Sequence, residues 1–208
     1  MSSAQIETGL AHLRSVDPVL GEVISRVGPF SVRLERDRFR ALVRSIISQQ
    51  ISGLAAQSIF KRLIKAVGPG GLIPERLVAC SPEELRAAGL SAQKAAYLRD
   101  LSEKVQNGQV RLTRLSGMAD ELIIEQLTEV KGIGVWTAQM FLIFSLGRLD
   151  VFPYADLGVR MALRNLYRLK DLPDRKRAEH IAAAWKPFST LASWYCWRSL
   201  ELPAASGR

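Results

Sequence analysis

An all-α fold is predicted for this 208-residue chain by three features of its sequence. Apolar residues recur at intervals of three and four along most of its length, which is the period of amphipathic helices. Serine or aspartate stands before several of these stretches, where a helix N-cap is expected. Residues are 48% hydrophobic and 24% charged, a composition that can bury the core of one large or two small domains.

Four helices are predicted in the first third of the chain. Asp17 and Pro18 fit the N-cap and the first position of the second helix. A polar turn at 48–53 separates the third helix from the fourth, and Ser52 within it fits the N-cap of the fourth. Residues 30–34 alternate between apolar and polar and predict a short strand. The helices are predicted at 4–15, at 18–27 and on either side of the turn within 39–67.

The remainder of the chain predicts further helices joined by short connections. A loop is expected at 69–74, which contains two prolines and two glycines. Ser81 and Ser91 fit the N-caps of the next two helices, the second of which reaches Leu101. The other helices are predicted at 121–128, 135–146, 157–167, 175–185 and 187–200.

The formal net charge is +9, from 29 Lys and Arg against 20 Asp and Glu. A charge of this sign indicates an anionic partner, and nucleic acid is a better candidate than a membrane surface. The longest apolar run, 140–144, is far shorter than the about 20 residues that a membrane-spanning helix needs.

The counts of metal-binding residues exclude several classes of site. Two cysteines are too few for a disulfide framework, a four-thiolate zinc site or an iron–sulfur cluster, and two histidines are too few for a histidine-rich metal site. The first 15 residues carry acidic and polar side chains in place of the apolar run of a signal peptide. We therefore expect a reducing compartment, which is the cytoplasm, in association with the nucleoid, or the nucleus if the source is eukaryotic.

Two glycines one residue apart, Gly132 and Gly134, separate two of the predicted helices. Such a pair lets the backbone turn tightly and directs N–H groups outward at the start of the next helix, where they can bind a phosphate. Ile133 would fill the space between the helices, and Lys131 would add positive charge. A plain turn between antiparallel helices explains the same residues without a ligand.

The segment VKGIGVWTAQMF at 130–141, followed by DVFPYADLGVR at 150–160, resembles a known pair of motifs. They are the helix-hairpin-helix and the downstream Gly/Pro-Asp motif of the DNA glycosylase superfamily, specifically of its 3-methyladenine DNA glycosylase II branch. Residues 42–63 and 89–101 are similar to the family's early helix-loop-helix and middle helix. Ala155 departs from the pattern, because this branch often has an acidic residue immediately before the acid that corresponds to Asp156.

The resemblance implies a two-lobed helical fold with the active-site cleft between the lobes. Residues 37–148 would form a central domain that contains the hairpin. Residues 1–36 together with 149–208 would form the second lobe, which carries Asp156.

The resemblance also implies that Asp156 is the catalytic residue. Breaking an N-glycosidic bond builds positive charge on the sugar, so a nearby carboxylate stabilises the transition state and can activate the attacking water. A helix N-terminus would keep this carboxylate ionised. On local sequence alone, the favoured role of Asp156 is the N-cap of the helix that begins at Leu157.

The base pocket implied by the resemblance is lined by Trp136 and Met140, which lie one helical turn apart. Phe188 matches an aromatic pocket position of the family, and Tyr154 lies close to the catalytic residue in sequence. Aromatic faces attract the positive charge of an alkylated purine, by about 0.5–2 kcal/mol once desolvated. The alternative for Trp136 is burial in the helical core.

Trp136 also bears on the type of reaction. It stands where bifunctional, endonuclease III-like relatives have the lysine that attacks the sugar and leads to strand cleavage. Because tryptophan cannot form a Schiff base, the resemblance implies a monofunctional glycosylase without lyase activity.

The remaining DNA contacts are also carried over from the family. Gln50 matches the side chain that intercalates where the flipped base leaves a gap, although a solvated turn explains it equally well. Basic groups at Arg160, Arg164 and Arg168 and at 175–177 offer further phosphate contacts, but charge stripes of this kind are usually solvated. The hairpin would hold the DNA backbone through Lys131, Gly132, Ile133, Gly134 and Thr137.

No cofactor is expected for the reaction. Related hairpins bind a monovalent cation through backbone carbonyls, and here the carbonyls of Thr128, Val130 and Gly132 would hold Na⁺ or K⁺.

These features predict a monofunctional DNA glycosylase that flips and excises alkylated purines, such as 3-methyladenine and 7-methylguanine, in base excision repair. Its partner would be double-stranded DNA containing alkylated bases, with no membrane involved, and it would act as a monomer. One alternative is a non-catalytic helix-hairpin-helix protein that binds damaged or distorted DNA. The other is a helical protein that binds acidic partners or membrane surfaces, which explains the charge but not the hairpin.

Overall fold

The computed structural model describes residues 1–203, and the Ala/Ser/Gly-rich residues 204–208 lie outside this part. Within the described residues the secondary structure is entirely helical, as predicted. The α-helices are α1 Ser3–Val16, α2 Pro18–Val27, α3 Arg38–Ser48, α4 Gly53–Val67, α5 Pro74–Ala79, α6 Pro82–Ala87, α7 Ala92–Gln106, α8 Asp120–Thr128, α9 Val135–Phe141, α10 Leu157–Leu166, α11 Arg175–Ala182 and α12 Ser189–Ser199. A π-helical turn, Leu142–Leu146, continues α9, and short 3₁₀ turns span Leu115–Gly117 and Ala183–Trp185.

The predicted N-caps are confirmed, because each side chain accepts a hydrogen bond from the first turn of its helix. Asp17 Oδ1 accepts from the Leu20 amide at 3.0 Å. Ser52, Ser81 and Ser91 act in the same way at the starts of α4, α6 and α7. Each cap satisfies an amide that has no partner inside the helix, which sets where the helix begins.

The predicted strand at 30–34 is wrong. These residues have no regular secondary structure, since a lone extended segment needs a second strand to pair its backbone groups. Phe30 packs its ring edge-on against Trp194 instead, with centroids 4.9 Å apart. The sequence also did not predict α5, which begins at Pro74 directly after the expected loop.

The described chain divides into two compact units. The central unit spans Leu34–Phe141, and the terminal unit joins Met1–Arg33 to the chain from Leu142 onward. The sequence placed these boundaries at 36/37 and 148/149. The second observed boundary falls inside a continuous helical stretch, where no loop residue marks a division.

Each unit has its own core. In the terminal unit, α1, α2, α10 and α12 enclose large side chains such as Trp185 and Tyr195. Asp17 is buried there and accepts hydrogen bonds from Trp185 Nε1, at 2.8 Å, and from the Tyr167 hydroxyl. In the central unit, α7 packs against α3, α5 and α6, and α8 packs against α9. Among residues 1–203, no helix is both long and apolar enough to span a membrane.

Candidate active site

Asp156 lies at the start of α10 and caps it. Its Oδ1 atom accepts a hydrogen bond from the Val159 amide at 2.8 Å. The same oxygen accepts a second hydrogen bond, also 2.8 Å long, from the indole Nε1 of Trp197 in α12. The carboxylate is therefore a helix cap, as the local sequence indicates, but it is also held by a donor from a distant part of the chain.

Trp197 is half-buried and reaches Asp156 across a gap kept open by Gly158. A Cβ atom at position 158 would lie 3.0 Å from Trp197 Cδ1 and 3.1 Å from Asp156 Oδ1. The Trp197 ring also stacks on Phe144 of the π-helical turn, with centroids 5.8 Å apart and planes inclined by 29°. The sequence did not predict this bond between Trp197 and Asp156.

Tyr154 lies two residues before Asp156 and is half-buried. The guanidinium of Arg175, at the start of α11, lies 4.4 Å from the centre of the Tyr154 ring. Arg175 in turn pairs with Glu179 at 2.8 Å. One face of Tyr154 therefore already carries a cation, so only the other face is available to stack on a base.

Phe188 packs against α1. A Cβ atom at Gly9 would lie 2.7 Å from the Phe188 ring. The centre of the His12 ring lies 5.6 Å from the centre of the Phe188 ring. Only a glycine at position 9 allows this approach. The contacts described for Phe188 are thus with α1, and its place in a base pocket stays a prediction.

The hairpin between α8 and α9 depends on Gly132. Its φ of +82° is a left-handed conformation that favours glycine. A Cβ atom there would lie 2.1 Å from Tyr97 Cδ2, because the tyrosine ring of α7 covers the turn. Ile133 is 4% exposed and fills the inside of the turn, while Gly134 is exposed with open space around it.

Asp100 of α7 anchors the hairpin from inside the central unit. Its Oδ2 atom accepts hydrogen bonds from the Lys131 amide and from Lys104 Nζ, both at 2.9 Å. Burial alone would raise the pKa of Asp100, but these bonds and the charges of the two lysines outweigh burial and hold the pKa below its usual range. The Lys131 amide is therefore turned inward, while its side chain is largely exposed.

Three further residues of the hairpin differ in what they can offer to a ligand. The Ile133 amide donates to the Val130 carbonyl at 3.0 Å, within the turn itself. Thr137 is 5% exposed, so little of it is accessible to a ligand. At the start of α9, the Ala138 amide donates to the Gly134 carbonyl at 3.0 Å.

The polar turn between α3 and α4 is hydrogen-bonded to the hairpin. Gln49 Nε2 donates to the Gly132 carbonyl at 2.7 Å. Lys94 Nζ of α7 donates to the carbonyls of Ile47 and Gln49, at 2.6 and 2.7 Å. Gln50 follows directly, exposed and with a φ of +57°, a left-handed conformation that non-glycine residues rarely adopt.

Lys94 was not singled out by the sequence. Burial lowers the pKa of its ammonium group, and the two carbonyls at the end of α3 satisfy two of its three donors. It therefore acts as a C-cap for α3 that is supplied by another helix.

Trp136 begins the exposed face of α9. It is 46% exposed, so the alternative of burial in the core is wrong. Met140, one turn later, is half-buried. The two residues share a helix face, as their spacing predicts.

Two of the three carbonyls of the expected cation site already have hydrogen-bond partners. Gly132 O accepts from Gln49, and Val130 O accepts from Ile133, which leaves each carbonyl one further lone pair. The Thr128 carbonyl completes the expected set. Within residues 1–203, no group of three His, Cys, Asp or Glu side chains could hold a metal ion.

The predicted arginine stripe is only partly formed. Arg160 and Arg164 lie on α10, and Arg160 Nε donates to the Pro173 carbonyl at 2.9 Å. Arg168 lies beyond the end of this helix with a φ of +51°, so it does not continue the same helical face.

Comparison with known proteins identifies a family for this chain. Residues 43–187 match the family model described as HhH-GPD superfamily base excision DNA repair protein. The chain is 34% identical to DNA-3-methyladenine glycosylase 1 of Schizosaccharomyces pombe, over 92% of this chain and 86% of the relative.

Two solved structures are similar over most of their length. One is a 3-methyladenine DNA glycosylase of the same yeast in complex with abasic DNA, with a TM-score of 0.85 and 32% identity over 96% of this chain and 100% of that one. The other is a DNA-3-methyladenine glycosidase from Bacillus halodurans, with a TM-score of 0.84 and 37% identity over 92% of this chain and 88% of that one.

Proposed function

The chain belongs to the HhH-GPD superfamily of base excision DNA repair proteins, and we propose that within it the protein is a monofunctional alkylpurine DNA glycosylase. It binds double-stranded DNA, flips an alkylated purine such as 3-methyladenine or 7-methylguanine out of the helix, and hydrolyses the N-glycosidic bond. The relatives named as 3-methyladenine glycosylases support the substrate class.

The observation that carries the proposal is the arrangement of Asp156. Two donors, the Val159 amide and the Trp197 indole, meet on one carboxylate oxygen at 2.8 Å each. A carboxylate held in this way is preorganised, so it need not reorient when positive charge develops next to it.

The reaction needs little else from the protein. The bond between the sugar C1′ atom and the base nitrogen breaks, and its electron pair passes to the base and cancels the formal positive charge of the lesion. Asp156 stabilises the resulting oxocarbenium-like sugar and orients a water whose oxygen attacks C1′, and the proton that this water loses passes to the carboxylate or to solvent. Because the base leaves as a neutral molecule, no general acid is required.

Recognition of the lesion is assigned to Trp136 and its neighbour Met140, with Tyr154 and Phe188 as further pocket residues. An exposed indole offers its face to a cationic base, and neutral bases gain less from the same contact. Trp136 cannot form a Schiff base, and Lys94 is tied to two carbonyls, so neither supplies the amine of a lyase.

Binding of the DNA is assigned to the hairpin and the polar turn. The amides of Gly132 and Gly134 and the Lys131 ammonium face a phosphate, and Gln50 fills the gap left by the flipped nucleotide. A Na⁺ or K⁺ ion bound by the carbonyls of the hairpin would add positive charge next to the same phosphate.

The test is release of base from N-methylated duplex DNA by the wild type and by Asp156→Asn. We expect release by the wild type only, with strand breaks appearing only after hot alkali, while the variant still binds DNA. Asp174→Asn is the matched control, because Asp174 caps α11 through the Arg177 amide at 2.7 Å. Asparagine is also a good cap, so both variants should fold.

Two other results would contradict the proposal. Tight, salt-sensitive DNA binding without base release would indicate the non-catalytic alternative. Strand breaks before alkali would show lyase activity, and the argument from Trp136 would then be wrong.

A further inference from the structure

We propose that Trp197 is a positioning residue for Asp156, and that Gly158 is required for this contact. The inference rests on the proposed function of Asp156 and deepens it. It assigns to α12 a part in catalysis, although none of its residues would touch the reacting atoms.

The helix cap does not explain the second hydrogen bond. One bond from the Val159 amide is enough for Asp156 to cap α10, as the single amide bonds of Asp37 and Asp174 show at α3 and α11. The additional donor at Asp156 comes from a residue 41 positions away. Two donors on Oδ1 restrict rotation of the carboxylate. Asp17, the cap of α2, also accepts further bonds, from Trp185 and Tyr167, but it is 8% exposed inside the core of the terminal unit. Asp156 is only half-buried, so a ligand can reach it, and a restrained carboxylate at such a position is what a preorganised catalytic group needs.

Trp197 is itself held in place. Its backbone belongs to α12, which packs against α10 and α2, and its ring stacks on Phe144. Phe144 lies in the π-helical turn Leu142–Leu146, an irregularity that is frequent at functional sites. The packing of α12 and the stacking on Phe144 therefore fix the position from which the indole binds Asp156.

The close approach of Trp197 to Asp156 requires a glycine at position 158, which lowers the stability of α10. Glycine is among the least favourable residues in a helical turn, yet it occupies the second position of α10. Alanine there would press its Cβ on both partners of the bond, at 3.0 Å from Trp197 Cδ1 and 3.1 Å from Asp156 Oδ1. The small residue thus keeps open the space in which the indole and the carboxylate meet.

The experiment measures single-turnover base release at saturating N-methylated duplex DNA, together with DNA affinity and melting temperature. Trp197→Phe keeps an aromatic ring but removes the N–H donor together with part of the indole that stacks on Phe144, a loss of ring that the control variant shares. We expect its excision rate to fall about 10- to 100-fold, as for other small losses of catalytic alignment, with DNA affinity within about twofold of the wild type. Trp194→Phe is the matched control, since Trp194 lies on the same helix and packs on Phe30 and Tyr195.

A double-mutant comparison separates positioning from stability. Asp156→Asn is not expected to release base within the time of the wild-type reaction, so the comparison follows its slow residual release over long incubation with excess enzyme. If Trp197 acts through Asp156, Trp197→Phe should change nothing further in that residual rate. Gly158→Ala should slow excision in the same way, which keeps the test valid if Trp197→Phe does not fold.

The inference is overturned if Trp197→Phe and Gly158→Ala excise at the wild-type rate. It is equally overturned if Trp197→Phe slows both backgrounds by the same factor, because its effect would then be independent of Asp156. Failure of the wild type to release base, or full activity of Asp156→Asn, would instead refute the proposed function on which the inference rests.

Discussion

Gly132→Ala should destabilise the hairpin, because a methyl group at this position is both strained and crowded. Gly132 has a φ of +82°, and the left-handed region costs a non-glycine residue about 1–2 kcal/mol. The added Cβ would also lie 2.1 Å from Tyr97 Cδ2, so the tyrosine ring must move. That ring is held by a hydrogen bond of 2.8 Å from Gln93 Nε2 to its hydroxyl.

The two contributions can be separated with a matched glycine. Gly71 also has a φ of +82°, but a Cβ atom there meets nothing within 4 Å. Gly71→Ala should therefore cost only the backbone term, which corresponds to a fall of about 2–8 °C in melting temperature for a chain of this size. Gly132→Ala adds about 1–3 kcal/mol for overpacking against Tyr97, and we expect a fall of about 5–15 °C.

Thermal unfolding of the wild type and the two variants provides the measurement, and DNA affinity is measured alongside. The displaced hairpin should weaken DNA binding in Gly132→Ala and leave it unchanged in Gly71→Ala. Equal melting temperatures for the two variants would refute the reasoning, because crowding against Tyr97 would then contribute nothing to the loss of stability. A double variant with Tyr97→Leu should recover most of the difference.

Three further predictions concern stability and recognition. Asp100→Asn removes a carboxylate whose pKa is held below its ordinary value, so the stabilisation by Asp100, about 1–3 kcal/mol, is complete above about pH 5 and is lost as the pH falls through the lowered pKa. Urea unfolding should separate this variant from the wild type at pH 7, and the difference in unfolding free energy should shrink as the pH falls below the ordinary pKa of an aspartate, whereas an unchanged difference would contradict the assignment. Trp136→Ala should slow excision of cationic lesions about 2- to 30-fold with little loss of stability. Its control, Trp185→Ala at a fully buried position, should lower the free energy of unfolding by about 3–5 kcal/mol. A similar loss of stability in both variants would place Trp136 in the core. Lys94→Met removes the donor to two carbonyls and should destabilise the protein by about 1–3 kcal/mol, whereas Lys61→Met, at an exposed position of α4, should be neutral in the same urea titration.

The sequence was sufficient for the helices because their signals are local. Asp17, Ser52, Ser81 and Ser91 each cap a helix within three residues of themselves, so one short window contains both donor and acceptor. The segment at 30–34 shows the limit of such windows. Its alternation is also local, but a strand exists only if a second strand pairs with it, and the chain supplies none within the described residues.

The contacts around the candidate catalytic residue were beyond local reasoning. Asp156 Oδ1 and Trp197 Nε1 are separated by 41 positions, and their meeting depends on how α10 and α12 pack. One general rule pointed toward such a contact, because the N–H of a partly buried tryptophan usually finds an acceptor. The rule does not say which acceptor, and Trp185 follows it equally well with Asp17 as its acceptor.

The polar turn at 48–53 shows how packing changes the meaning of a sequence signal. By itself, QQ between two helices is a solvated turn, and nothing local distinguishes Gln49 from Gln50. In the structure Gln49 is bound to Gly132, 83 positions away, and Lys94 holds the Gln49 carbonyl, so the residue that follows is fixed in a left-handed conformation and directed outward. In the proposed function Gln50 enters the DNA helix, and this rigidity would favour that step, since an ordered turn loses less entropy on binding than a loose one. The hairpin glycine and the neighbouring turn are therefore one hydrogen-bonded assembly within the central unit, and displacement of Gly132 should reach Gln50 through Gln49.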